Sequence, residues 1–146
     1  MPPNPELREN PKRCVYITGE IDQALVDRLT PQITQLRFES SDSITAYIDS
    51  IGGSTVHARL LMDLLKAPTQ DGNRCKIVTV ATGLAASAAA DLLVFGTYAI
   101  AYPHAKVWFH GTRRRPGEVT TELAASIAQS LRRTNEGFAV ELATAA

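Results

Sequence analysis

Lys76-Ile77-Val78-Thr79-Val80-Ala81-Thr82-Gly83-Leu84-Ala85-Ala86-Ser87-Ala88-Ala89-Ala90 is the stretch that decides the fold. Residues 76–82 form an apolar run rich in β-branched residues, the pattern of a buried strand. From Ala88 to Phe95 the composition is that of a helix. Ser87 therefore stands where a strand hands over to a helix, walled by glycine and alanines. The first N–H groups of a helix lack intrahelical partners and its dipole is positive there. An oxyanion formed beside Ser87 would face donors, and the small neighbours leave room for a substrate main chain. Taken alone, the octet 83–90 fits equally well an alanine-rich packing segment with a serine near a helix start.

The unit repeats upstream. Ile44-Thr45-Ala46-Tyr47-Ile48-Asp49-Ser50 reads as a strand that runs into Ile51-Gly52-Gly53-Ser54. A helix follows over 55–66, with Val56, Leu60, Leu61, Leu64 and Leu65 apolar. Two adjacent glycines allow torsions other residues resist and let a ligand approach the main chain closely. They also fit a plain tight turn, and no GxGxxG or Walker pattern accompanies them. Earlier still, Cys14-Val15-Tyr16-Ile17-Thr18 is a short strand ending at Gly19. Asp22 caps a helical stripe of Ala24, Leu25, Leu29, Ile33, Leu36 and Phe38, and Pro31 predicts a kink or two short helices. Residues 1–12 hold four prolines and read as a mobile tail, leaving 13–146 as the folded domain.

Downstream, Gly96 ends the helix begun at Ala88, Tyr98–Tyr102 is a short strand, and Pro103-His104-Ala105 is a turn. Lys106-Val107-Trp108-Phe109-His110 is another strand with His110 at its end, followed by a basic loop holding Arg113-Arg114-Arg115. A long helix is expected from Glu118 to about Ala143, with Val119, Leu123, Ile127, Leu131, Phe138 and Leu142 on its apolar stripe. Repeated βα units of this kind predict an α/β fold with parallel strands.

Composition bounds the function. A chain of 146 residues, 45% hydrophobic and 21% charged, is most simply one globular domain. Fifteen basic and fifteen acidic residues balance to zero net charge, which argues against a global attraction to nucleic acid or an anionic membrane. Cys14 and Cys75 have no CxxC spacing and read as small apolar residues of a reducing compartment. No metal-ligand spacing and no cofactor motif stands out, no run of about 18 apolar residues is present, and the polar N-terminus is unlike a secretory signal. The expected address is the cytoplasm.

Gly52-Gly53 after one strand, Ser87 at a strand-to-helix turn and His110 at a strand end all fall at strand carboxyl ends, where sites gather in parallel α/β sheets. Acyl transfer uses such a set. A serine hydroxyl is a weak nucleophile until a base takes its proton, a neutral histidine suits that role near pH 7, and the oxyanion needs preorganised donors such as the N–H groups of a Gly-Gly turn and a helix start.

These segments resemble the proteolytic subunit of the Clp protease, a self-compartmentalising serine peptidase of the crotonase-like (ClpP-like) fold, across about residues 14–142. The resemblance is carried by Val15-Tyr16-Ile17-Thr18-Gly19-Glu20-Ile21-Asp22 and Tyr47-Ile48-Asp49-Ser50-Ile51-Gly52-Gly53-Ser54. It is carried most specifically by Gly83-Leu84-Ala85-Ala86-Ser87-Ala88 and Tyr102-Pro103-His104-Ala105-Lys106-Val107-Trp108-Phe109-His110, in that order. It implies repeated β-β-α units, Ser87 as nucleophile, His110 as base, the main-chain N–H groups of Gly53 and Ala88 as oxyanion hole, and residues 118–143 as a handle helix joining two rings. It further implies peptide or unfolded-protein substrates, a homo-oligomeric ring, an AAA+ ATPase unfoldase as partner, and no cofactor or metal. The chain departs from the family in four places. Asn-Ser-Pro-Gly-Gly reads Asp49-Ser50-Ile51-Gly52-Gly53, the methionine after the nucleophile is Ala88, the glycine-rich stretch after the histidine is Thr112-Arg113-Arg114-Arg115-Pro116, and the proline-rich N-terminus is unlike the axial loops that meet the ATPase. The family's triad aspartate lies beyond the handle helix and nothing here matches it, which implies C-terminal truncation.

Other readings stay open. Asp91, one turn after Ser87, is either a substitute acid or a solvated or ion-paired carboxylate. Lys106 is either half of a Ser-Lys dyad or the basic position before the family histidine. His57 and His104 read as solvated. Arg113–Arg115 is a solvated loop or a contact for an acidic surface. The whole chain could instead be a non-catalytic ring subunit or a crotonase-like acyl-CoA enzyme using the same oxyanion hole.

Overall fold

The computed structural model describes residues 7–109 and the strand at 139–142. The chain runs β1 (Cys14–Ile21), α1 (Gln23–Glu39), β2 (Ile44–Gly53), α2 (Thr55–Lys66), β3 (Ile77–Ala86), α3 (Ala88–Phe95), β4 (Tyr98–Ala101), β5 (Lys106–Trp108) and β6 (Ala139–Leu142). One sheet of order β1-β2-β3-β4-β6 results, with every pairing parallel. β5 joins β3 rather than the end of the path. β4 pairs with Val78–Ala81, the turn at 102–105 intervenes, and β5 then pairs with Leu84–Ala86. One long strand thus carries two short neighbours in succession along the edge away from β2.

Period-two alternation explains the layers. Ile77, Ala81, Ala99 and Ala101 join the main core with Leu25, Leu29 and Ile33 of α1, Leu61 and Leu65 of α2, and Ala89 and Leu92 of α3. Val78, Val80, Tyr98 and Ile100 face the other way, into a smaller cluster that Leu7, Tyr47 and Tyr102 cover. Residues 7–12, inside the stretch expected to be a tail, lie against the sheet: Glu9 accepts from the Tyr102 hydroxyl at 2.7 Å and the Asn10 N–H donates to Thr45 Oγ1 at 2.8 Å.

Three expectations change. α1 is one continuous helix through Pro31. Pro31 lies on the exposed side, where the carbonyl it leaves without a helical donor faces solvent, while Leu25, Val26, Leu29 and Ile33 hold both halves to the sheet. Phe38, Val56 and Leu60, expected on apolar stripes, are 63%, 67% and 42% exposed, and Ala58 and Met62 take the inner face of α2. Most of the expected handle helix, 118–138, lies outside the described residues, but 139–142 form strand β6, in register Tyr98↔Ala139 through Ala101↔Leu142. Pairing along the open edge of β4 overrides local helix propensity there, and Gly137 just before it is the breaker the helical reading passed over.

Arg13 is a residue whose role composition hides. It is 8% exposed, and its guanidinium donates to the carbonyls of Leu36, Ser40, Asp42 and Ser43 at 3.0–3.4 Å. It thereby adds a second donor to the Leu36 carbonyl, which also accepts the Ser40 N–H at the end of α1, reaches the carbonyls of Ser40, Asp42 and Ser43 in the turn that follows, and so ties α1 to the start of β2. Both cysteines are free thiols, and burial pushes the Cys75 thiol pKa up.

Candidate functional site

Ser87 is the hinge residue between β3 and α3, with φ 56° and ψ −122°. It is the only non-glycine residue of positive φ among the described residues. Such a conformation costs about 1–3 kcal/mol and persists only where surroundings impose it. Here they do so from three sides. The Ser87 N–H donates to the Trp108 carbonyl at 2.8 Å, tying the turn to β5. The Ser87 carbonyl accepts from the N–H groups of Ala90 at 2.9 Å and Asp91 at 3.2 Å, which starts α3 at once. Asp22 and Ser54 cap α1 and α2 through their side chains, but Ser87 makes no side-chain capping bond. The ordinary explanation for a serine at a helix start, that its oxygen satisfies an orphan N–H, does not apply here.

The third side is the glycine pair. A Cβ on Gly52 (φ +90°) would sit 2.4 Å from the Ala86 carbonyl oxygen, 2.9 Å from Ser87 Cβ and 3.2 Å from the Ala88 nitrogen. A Cβ on Gly53 (φ +149°) would instead meet the Ile21 carbonyl oxygen at 2.5 Å. The two glycines are needed for different contacts: Gly52 lets β2 touch the Ser87 turn, and Gly53 lets the chain pass against β1. The family resemblance singles out Gly53, whereas Gly52 is the one that reaches Ser87. Gly52→Ala is expected to lower stability by about 1–3 kcal/mol and to push Ser87 out of place. Gly72→Ala is the control, because Gly72 has a similar φ, +85°, and no atom within 4 Å of its would-be Cβ. Thermal melts and Ser87 reactivity of the two variants should separate by several degrees and roughly 100-fold. Equal behaviour would show that the close approach does not matter.

Asp49, where the resemblance calls for asparagine, accepts the Leu84 N–H at 3.0 Å, and its Oδ1 would lie 2.6 Å from a Cβ on Gly83. The carboxylate thus bridges β2 to β3 where their ladder breaks, between Ile48 and Ser50. An acceptor oxygen is all this bond needs, so aspartate serves as asparagine would.

His110 lies outside the described residues. Its chain neighbours in β5 run alongside the end of β3, with Trp108 opposite Ala86. Ala88, the residue after the turn, is buried at the first position of α3. Lys106 stands opposite Leu84, three residues short of Ser87, a rise of about 10 Å, which counts against a Ser-Lys dyad. His57, expected in solvent, is half-buried, and its Nε2 lies 3.1 Å from Gln23 Oε1. His104 is exposed. No group of three or more His, Cys, Asp or Glu that could hold a metal occurs among the described residues, and no helix among them is long and apolar enough to cross a membrane.

Comparison with known proteins bears on this geometry. The family model described as Clp protease matches residues 8–143. The chain belongs to the Clp protease family. It is 31% identical over 125 residues to the ATP-dependent Clp protease proteolytic subunit 3 of Rhodococcus jostii, a match covering 84% of this chain and 59% of that protein. It is 32% identical over 127 residues to proteolytic subunit 1 of Corynebacterium jeikeium, covering 84% and 63%. The chain therefore spans about three fifths of the length of these relatives. Among solved structures, the ClpP protease catalytic domain of Plasmodium falciparum superposes with a TM-score of 0.60 at 26% identity, covering 84% of this chain and 64% of that one. The Listeria monocytogenes ClpP1 N165D mutant gives 0.60 at 27% identity, covering 83% and 67%. The ClpP-like α/β fold expected from the sequence is the fold of this Clp protease family chain.

Proposed function

We propose that the chain is a serine-type endopeptidase subunit of the Clp kind, hydrolysing peptide bonds through an acyl-enzyme. Ser87 Oγ attacks the scissile carbonyl while His110 takes its proton. The oxyanion is held by the main-chain N–H groups of Gly53 and Ala88. His110 then returns the proton to the leaving amine, and water repeats the cycle on the ester. The observation that carries this reading is the conformation of Ser87, a non-glycine residue held at φ 56° whose hydroxyl does no capping. A strained strand-to-helix turn is how other serine hydrolases expose their nucleophile.

An oligomeric ring, fed with unfolded protein by an ATP-driven partner in the cytoplasm, completes the proposal. The related subunits named above are ATP-dependent. The exposed Val56 and Leu60 on α2 supply apolar surface suited to a neighbouring protomer. The test is labelling with a fluorophosphonate and mapping the adduct by mass spectrometry. Adduct on Ser87 is the expected result. An unlabelled chain beside a labelled partner subunit would make it a non-catalytic ring member, and an unlabelled chain that binds acyl-CoA would make it a crotonase-like enzyme.

A further inference from the structure

Ser50 lies on β2 two residues before Gly52 and is 2% exposed. Its hydroxyl is engaged both as donor and as acceptor. Ser50 Oγ donates to the Gly19 carbonyl at 2.5 Å and accepts the Gly52 N–H at 2.9 Å. Both contacts fall where the sheet is irregular. The β1–β2 register shifts between Thr18 and Glu20, and the β2–β3 register shifts between Ile48 and Ser50. At that break one side chain bridges two main-chain groups on neighbouring strands.

We propose that Ser50 is a positioning residue that fixes the Gly52–Gly53 peptide against the Ser87 turn. The proposal rests on the acyl-transfer reading above, in which the Gly53 N–H is an oxyanion donor. The argument is one of pinned ends. Upstream of that peptide, the Gly52 N–H is held by Ser50. Downstream, the Ser54 N–H donates to the Ile21 carbonyl at 2.9 Å, and Gly53 stands opposite Ile21 in the β1 register. Glycine torsions are otherwise permissive, so a Gly-Gly unit without both anchors would sample several peptide orientations. With both, the direction of the Gly53 N–H is set. Ser50 also occupies the Gly52 N–H, which takes it out of competition for the oxyanion and leaves Gly53 and Ala88 as the pair. Gly52 is packed 2.9 Å, by its would-be Cβ, from Ser87 Cβ. Loosening it therefore moves a donor relative to the nucleophile.

The test compares wild type, Ser50→Ala and Ser50→Thr, with circular dichroism as the check on folding. Ser50→Ala should lower kcat for a short fluorogenic peptide by roughly 100-fold, the usual effect of losing one oxyanion donor, and leave KM within about threefold. Ser50→Thr, which keeps the hydroxyl, should recover most of that loss; if Ser50→Ala does not fold, a folded Ser50→Thr whose kcat falls about 100-fold overturns the proposal. Amide hydrogen exchange supplies a readout independent of catalysis: at Gly52 and Gly53 it should accelerate at least about tenfold in Ser50→Ala while α2 amides stay unchanged. Unchanged exchange at the two glycines overturns the inference, as does a loss that appears in KM alone. Altered exchange in a chain whose wild type never labels at Ser87 would uphold the pinning of the peptide and remove the acyl-transfer reading instead.

Discussion

Replacing Ser87 with alanine is expected to lower peptide hydrolysis by about 10⁶-fold in a chain whose base has its acid, the loss seen when a serine nucleophile that works as a unit with its base is removed, and by about 100-fold in a chain that lacks that acid. Its effect on stability should be slight, because alanine keeps the same backbone demand and Ser87 Oγ makes no capping bond that would be lost. Ser87→Gly should be equally inactive yet more stable. Glycine adopts φ 56° without penalty, so releasing a strain of about 1–3 kcal/mol outweighs the extra unfolded-state entropy of about 0.4–1 kcal/mol. A net gain of about 1 kcal/mol raises Tm by a few degrees in a domain of this size. The pair is measured by turnover and by thermal melts side by side. An active Ser87→Ala would remove Ser87 as nucleophile. A Ser87→Gly that melts lower than wild type would mean the turn is not strained, and the main structural support for the site would go with it. Stability traded for reactivity at one residue is the pattern expected of a functional site rather than of a packing segment.

The order of elements from Cys14 to Phe95 is legible in the sequence because β1, β2 and β3 are runs rich in β-branched residues and each is followed by a helical period. The location of Ser87 is legible for the same reason, since a serine between those two patterns can only be a turn residue. Its φ is not, because it follows from the Trp108 carbonyl, 21 residues downstream, and from Gly52, 35 residues upstream. Ser50, Asp49 and Arg13 escape a linear reading likewise. Their partners at Gly19, Leu84 and Ser43 lie 31, 35 and 30 residues away. A polar residue in a strand gives no sign in sequence of whether it faces water or bridges two main chains. Pro31 misleads in the opposite direction. It breaks a helix in isolation, but on the exposed side of α1 the buried Leu25, Leu29 and Ile33 decide the outcome. β6 was hidden because helix propensity is local while a sheet edge is not.

A base without an acid should be a poor base, and this gives the second large effect. In a Ser-His-Asp site the acid holds the imidazole in the working tautomer and stabilises its charged form, and losing that role costs about 10⁴-fold. Nothing in residues 1–146 matches the family's aspartate. Asp91 is the candidate nearest in sequence, since its N–H meets the Ser87 carbonyl at 3.2 Å. Its carboxylate, however, has an ordinary reason to stand where it does. It is exposed in the first turn of α3, where a negative charge is favoured by about 0.3–1 kcal/mol at the positive end of the helix dipole. We therefore expect Asp91→Asn to lower stability slightly and leave turnover within a few-fold. The 146-residue chain itself should hydrolyse a fluorogenic peptide slowly. Appending to Ala146 the segment of the Rhodococcus relative that follows its matched region should raise kcat/KM by as much as about 10⁴-fold if that segment brings the missing carboxylate to His110. Three chains in one assay decide the matter: wild type, Asp91→Asn and the extended form. Fast hydrolysis by the wild type that vanishes in Asp91→Asn would make Asp91 the acid. Fast hydrolysis that survives it, in the absence of any partner, would mean that His110 works with a carboxylate elsewhere in these 146 residues, and the extension would then add little.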